Sequence, residues 1–164
     1  GGLALALCLW LKNHKEPLPS GVIAMSPWTD LTISGESVET NFEKDPLFGK
    51  TRDSMLYNKD YLGDNDPTNE YISPLFGDYE GFPLLIQVGS YEMLLSDSTR
   101  VAKKAKEAGG KVKLSIYEGM FHVFQMAMLL MPESKKAWAE IKRFLHYLDT
   151  EENEMQNISK EEKA

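Results

Sequence analysis

Three short apolar runs, and what separates them, constrain the fold of this chain more than any other feature. Gly21-Val22-Ile23-Ala24-Met25 and Leu84-Leu85-Ile86-Gln87-Val88 are almost continuously apolar, as expected of strands covered on both faces. Val112, Leu114 and Ile116 alternate with Lys113, Ser115 and Tyr117, which predicts a third strand with one apolar face. Residues 3–11 are unbroken in apolar character and read as a core helix, apolar all round, stopped near residues 12–15 and by Pro17 and Pro19. Residues 98–108 place Val101, Ala105 and Ala108 on one helical face before Gly109-Gly110. A last helix at about 133–148 lines up Ala137, Trp138, Ile141, Leu145 and Leu148 behind Pro132. Helix, strand, insertion, strand, helix, strand, helix is the order of an α/β fold, parallel strands flanked by helices and joined by crossovers.

The long stretch from Asp30 to Phe82 has no strand period and is rich in aromatics, among them Phe42, Phe48, Tyr57, Tyr61, Tyr71, Phe76 and Tyr79. A helix is expected near residues 52–61, followed by a turn-rich break at 63–67. Loops of this length inside a regular pattern are often functional. Residues 1–148 are expected to form part of one domain, and the charged residues 149–164 a polar, frayed tail.

Net charge and cysteine usage narrow the partners. The chain carries −7 at neutral pH, with a sequence pI near 5.0, so nothing in it neutralises a nucleic-acid backbone. Cys8 is the single cysteine, which leaves no internal disulfide and no cysteine-based metal site. No cofactor or metal is expected, and a cytoplasmic setting is. Nine apolar residues follow Gly1-Gly2, far fewer than the roughly 20 that span a bilayer. With no basic segment ahead of them they also do not read as a secretory signal. They are expected to be a buried helix whose upstream context lies outside the chain.

In parallel sheets, sites collect beyond the C-terminal ends of the strands. After the second strand stand Gly89-Ser90-Tyr91-Glu92; after the third, Glu118-Gly119-Met120-Phe121-His122. A loop histidine is by itself more often a packing or surface residue, and a loop glutamate more often an exposed carboxylate. Together, at the ends of neighbouring strands, His122 can act as general base while Glu92 accepts the imidazole Nδ1–H and fixes its tautomer. Asp97 is the rival acid. It stands in the first turn of a helix, where a carboxylate caps the backbone and offsets the dipole.

Several segments, in order, resemble the hormone-sensitive-lipase-like α/β-hydrolases, the bacterial type IV esterases. Gly1-Gly2-Leu3-Ala4-Leu5-Ala6-Leu7 is similar to the residues that follow that family's nucleophile elbow. Ser26-Pro27-Trp28-Thr29-Asp30-Leu31-Thr32 resembles its Ser-Pro-x-x-Asp-Leu-Thr segment, and Tyr71-Ile72-Ser73-Pro74-Leu75-Phe76 its Ser-Pro-Leu segment. Residues 87–98 resemble the stretch bearing the catalytic acid, and Gly119-Met120-Phe121-His122-Val123-Phe124 the loop bearing the histidine. The resemblance implies the C-terminal portion of an α/β-hydrolase fold, with His122 as base and Glu92 as acid. Many members have Asp followed by Pro-Leu where this chain has Glu92-Met93-Leu94, but glutamate also serves in hydrolases of this fold.

No Gly-x-Ser-x-Gly occurs in the 164 residues, so the nucleophilic serine is expected upstream of Gly1. Ser90, Ser96 and Ser98 read as turn and cap residues, Cys8 as a buried thiol, His14 and His146 as helix-surface residues, and Asp30 as a structural turn residue. The leading expectation is a carboxylic ester hydrolase with acyl-enzyme chemistry, acting on a small ester, the chain itself being inactive. The alternatives are a truncated, non-catalytic module for binding or oligomerisation, and a peptidase on the same fold. A homo-oligomer, or pairing with an N-terminal fragment of the same protein, is the expected association.

Overall fold

A computed structural model describes residues 1–49, 59–81 and 83–161. Helix α1 (Gly2–Asn13) leads into strand β1 (Val22–Met25). Two short helices follow in the insertion, α2 (Ser37–Thr40) and α3 (Lys59–Leu62), then a 3-10 turn at Pro74–Phe76. Strand β2 (Leu84–Gly89), helix α4 (Leu95–Glu107) and strand β3 (Val112–Tyr117) form the regular core, and helix α5 (Pro132–Glu161) closes the chain. The helix expected at 52–61 falls largely outside the described residues.

The three strands lie in the order β1-β2-β3, both pairs parallel. Val22 pairs with Leu84, and Leu84 in turn with Val112, so the strands run in register to a common C-terminal edge. Alternate side chains of a strand face opposite ways. Val22, Ala24, Leu84 and Ile86 therefore meet Leu5, Cys8 and Leu9 of α1 and Val101, Ala102 and Ala105 of α4 in one core. On the opposite face Gln87 donates to the Ala137 carbonyl (3.0 Å) and to Glu140 (2.7 Å) of α5. The sheet is thus covered on both sides. All six residues of β2 are buried.

Three expectations need correcting. Helix α1 is not buried all round: Leu5, Ala6, Cys8 and Leu9 are buried, but Leu3, Leu7 and Trp10 are exposed. The third strand lacks a fully covered apolar face, since Val112 and Leu114 pack on the core while Ile116 is half exposed at the sheet edge. The last helix does not stop at Leu148 but runs to Glu161. Glu, Lys, Met and Gln are good helix formers, so a polar composition there extends the helix instead of fraying it.

Candidate active site

The segments that leave the three strands meet at their C-terminal edge. At the end of β2, Gly89 stands where a Cβ would lie 2.1 Å from the Met120 carbonyl oxygen. Only glycine lets the loop after β3 cross so close. That loop is then tied down: Gly119, in the left-handed region at φ +72°, donates its N–H to Ser90 Oγ at 2.8 Å. Tyr91 N–H donates to the Met120 carbonyl at 3.1 Å.

The crossing brings the two predicted residues together. His122 Nδ1 lies 3.1 Å from Glu92 Oε2. A carboxylate only accepts, so Nδ1 carries the proton and Nε2 is left as the basic nitrogen. Glu92 is completely buried, and the imidazole remains partly open to solvent. The other carboxylate oxygen, Oε1, accepts from Gly89 N–H (2.6 Å) and from Ser26 Oγ (2.7 Å). A buried carboxylate needs such donors to offset its lost hydration.

The insertion supplies a brace that the sequence reading missed. Asn41 Nδ2 donates to the carbonyls of Ser90 (3.0 Å) and Glu92 (2.9 Å). Ser37 Oγ donates to the Met93 carbonyl and accepts from Ser96 N–H. Asp45 Oδ2 accepts from Met93 N–H at 2.9 Å, while its Oδ1 takes the amides of Leu47 and Phe48. Phe48 then sets its ring edge-on to His122, centroids 4.5 Å apart. The four-residue spacing of Ser37, Asn41 and Asp45 is present in the sequence, but such residues are ordinary in loops.

Asp97 stays apart from His122. It is buried, and its Oδ2 accepts from Thr29 N–H (2.6 Å), Asp30 N–H (2.9 Å) and Thr29 Oγ1 (3.3 Å). It does not cap its own helix, which carries no side-chain cap; instead it fastens that helix to the turn after β1. Burial, with the charge of Asp30 added, pushes its carboxyl up to about 6 against those hydrogen bonds. Asp30 goes the other way. Burial works to raise it, but bonds from Ser34, Thr32 and Arg100 prevail and hold it below the usual carboxylate range.

The remaining candidates sit as structural residues. Ser90 Oγ and Ser96 Oγ accept backbone amides, and Ser98 is buried in α4. Cys8 is buried, which pushes its thiol up. His14 stacks on Trp10 and His146 is exposed on α5. Among the described residues, no group of three or more His, Cys, Asp or Glu could hold a metal ion, and no helix is long and apolar enough to cross a membrane.

His122 lines an open, mainly apolar cleft of about 370 Å³. Trp28 and Leu31 from the turn after β1, Phe48, Tyr61 and Ile72 from the insertion, and Leu94 supply much of its wall. Of the other aromatics, Tyr79 is buried in the core and Tyr71 packs against it.

Residues 1–126 match the alpha/beta hydrolase fold family. The chain is 45% identical over 149 residues to an esterase of Acinetobacter venetianus, covering 90% of this chain and 49% of that protein. It is 36% identical to an acetyl-hydrolase of Streptomyces hygroscopicus, covering 83% of this chain and 46% of that protein. Among solved structures, an esterase from the bacterial hormone-sensitive lipase family superposes with a TM-score of 0.84 at 38% identity, covering 90% of this chain and 50% of that one. The chain spans about half the length of the curated relatives it matches.

Proposed function

The chain belongs to the alpha/beta hydrolase fold family, and from that premise we propose that it carries the base and the acid of a serine carboxylesterase. The observation that bears most weight is the contact between His122 Nδ1 and buried Glu92 at 3.1 Å, beside an apolar cleft. In this reading residues 1–148 are the C-terminal part of the hydrolase domain. The serine and the oxyanion donors come from residues other than these 164, because no Gly-x-Ser-x-Gly occurs among them.

The chemistry is then a division of labour. His122 Nε2 takes the serine proton as the hydroxyl attacks the ester carbonyl, and returns it to the departing alkoxide. Water attacks the acyl-enzyme by the same proton route. Glu92 holds the tautomer and stabilises the imidazolium that forms. An apolar cleft of this size fits a short- to medium-chain ester. A cytoplasmic setting, with no nucleic-acid partner, belongs to the same reading and rests on the net charge of −7 and the single buried Cys8.

The test is p-nitrophenyl butyrate hydrolysis by the whole protein. His122→Ala should lower kcat by 10⁴-fold or more, roughly, because triad members act as a unit. Glu92→Gln, which misdirects the tautomer, should cost about 10⁴-fold. The 164 residues alone should be inactive. Turnover by them that is lost on His122→Ala would reveal a nucleophile within the chain. Whole protein inactive on every short ester would favour a binding module.

A further inference from the structure

Ser26 is a buried residue at the end of β1 with an uncommon backbone, φ +46°. Its hydroxyl makes two bonds: Oγ donates to Glu92 Oε1 at 2.7 Å and accepts from Val123 N–H at 3.1 Å. Val123, directly after His122, is also left-handed, at φ +48°. A β-branched residue there is a true outlier, and left-handed backbone is unfavourable for any residue that carries a side chain. Two such residues, joined by one hydroxyl across three chain segments, mark strain held in place at a site.

We infer that Ser26 is a positioning residue for the Glu92–His122 pair, its hydroxyl fixing the rotation of the Glu92 carboxylate and the path of the chain leaving His122. Glu92 Oε1 is held from two sides, by Ser26 Oγ and by Gly89 N–H, so that Oε2 is the oxygen turned to the imidazole. Gly89 N–H belongs to the same turn as Glu92 and moves with it. Ser26 comes from β1 and anchors the carboxylate to the sheet. The bond to Val123 does the same for the histidine loop. Without the hydroxyl, the carboxylate can swing about its side-chain torsions and Val123 N–H loses its acceptor. This rests on the esterase reading, since only then does the pair's geometry set a rate.

The experiment compares Ser26→Ala and Ser26→Gly in the whole protein, each alone and combined with Glu92→Gln. Glycine accepts φ +46° without strain, so it removes the hydroxyl while sparing the backbone. Both single variants should lower kcat by roughly 10- to 100-fold, the scale of a small misplacement, with KM changed less than twofold. Combined with Glu92→Gln they should cost almost nothing more, because Ser26 acts through Glu92. The second readout needs no turnover: the Nδ1 proton of His122 in the NMR spectrum should move upfield and exchange faster with water in both variants. A glycine variant with normal kcat and an unmoved Nδ1 proton would overturn the inference, leaving Ser26 a backbone role only. Losses that add fully to those of Glu92→Gln would also overturn it. If the unsubstituted protein hydrolyses no ester, the esterase reading fails by itself, and the Nδ1 proton still decides whether Ser26 holds the pair.

Discussion

Asp97 and Asp30 are sequence neighbours of the site whose carboxyls respond to pH in opposite senses. Asp97, raised to about 6 in the fold, has an unfolded value of about 3.9. A raised acid stabilises the fold fully below its unfolded value and loses that contribution as pH rises through its folded value. Asp30, held low by Ser34, Thr32 and Arg100, stabilises above its unfolded value and loses that as pH falls through its folded one. The Cγ resonance of Asp97 should accordingly titrate with a midpoint about two units above an ordinary aspartate's. In urea unfolding, native protein should lose stability relative to Asp97→Asn on going from pH 4 to pH 7. A difference that stays flat over that range would mean that the three donors to Oδ2 outweigh burial. At this scale the sequence favoured Glu92 over Asp97, which also follows the second strand, because a carboxylate in the first turn of a helix has a structural use of its own. It was silent about Ser26, whose role depends on a backbone angle that no residue pattern announces.

The elements divide by how their order is encoded. β1 and β2 were legible because strands inside a covered sheet leave nearly continuous apolar runs, and β3 because its apolar residues alternate with polar ones. The insertion was not, because side-chain bonds to backbone hold it to the acid turn, and Ser37, Asn41 and Asp45 carry no periodic signal. Helix α1 shows the limit of the apolar count: its residue types say buried everywhere, but only Leu5, Ala6, Cys8 and Leu9 find cover. Helix α5 shows the reverse, where charge suggested fraying and propensity prevailed. Two substitutions test the brace and the crossing. Asp45→Ala leaves Met93 N–H buried without its partner and should destabilise by about 1–3 kcal/mol, with faster hydrogen exchange concentrated at Met93. Gly89→Ala forces its Cβ against backbone, 2.1 Å from Met120 O. It should therefore displace the histidine loop, and the His122 resonances should shift even where the fold persists.

For the whole molecule, the described sheet ends at two edges, β1 and β3. On α1, which packs on β1 through Leu5, Cys8 and Leu9, the residues Leu3, Leu7 and Trp10 form one exposed apolar stripe, at 74%, 54% and 41% exposure. An exposed apolar stripe, and a strand edge left unpaired among the described residues, each invite another chain. The 164 residues by themselves should therefore self-associate at micromolar concentration in sedimentation, and Leu7→Glu should shift the distribution towards monomer. A monomer at every concentration, unaffected by that change, would show the stripe to be innocuous.

The wiring of the site also sets an order in time. His122 and Glu92 are 30 residues apart, Ser26 and Glu92 66, and Ser26 and Val123 97. Apart from the bond that Gly89 N–H gives Glu92 within its own turn, the bonds that join these residues each close a long loop, and parallel strands offer no hairpin to shorten it. Helices α1, α4 and α5 can form from local contacts in microseconds, while pairings of this separation come late. A refolding chain will thus recover most of its helical signal before His122 meets Glu92, and the same remoteness makes that meeting a sensitive report that β2 and β3 have docked.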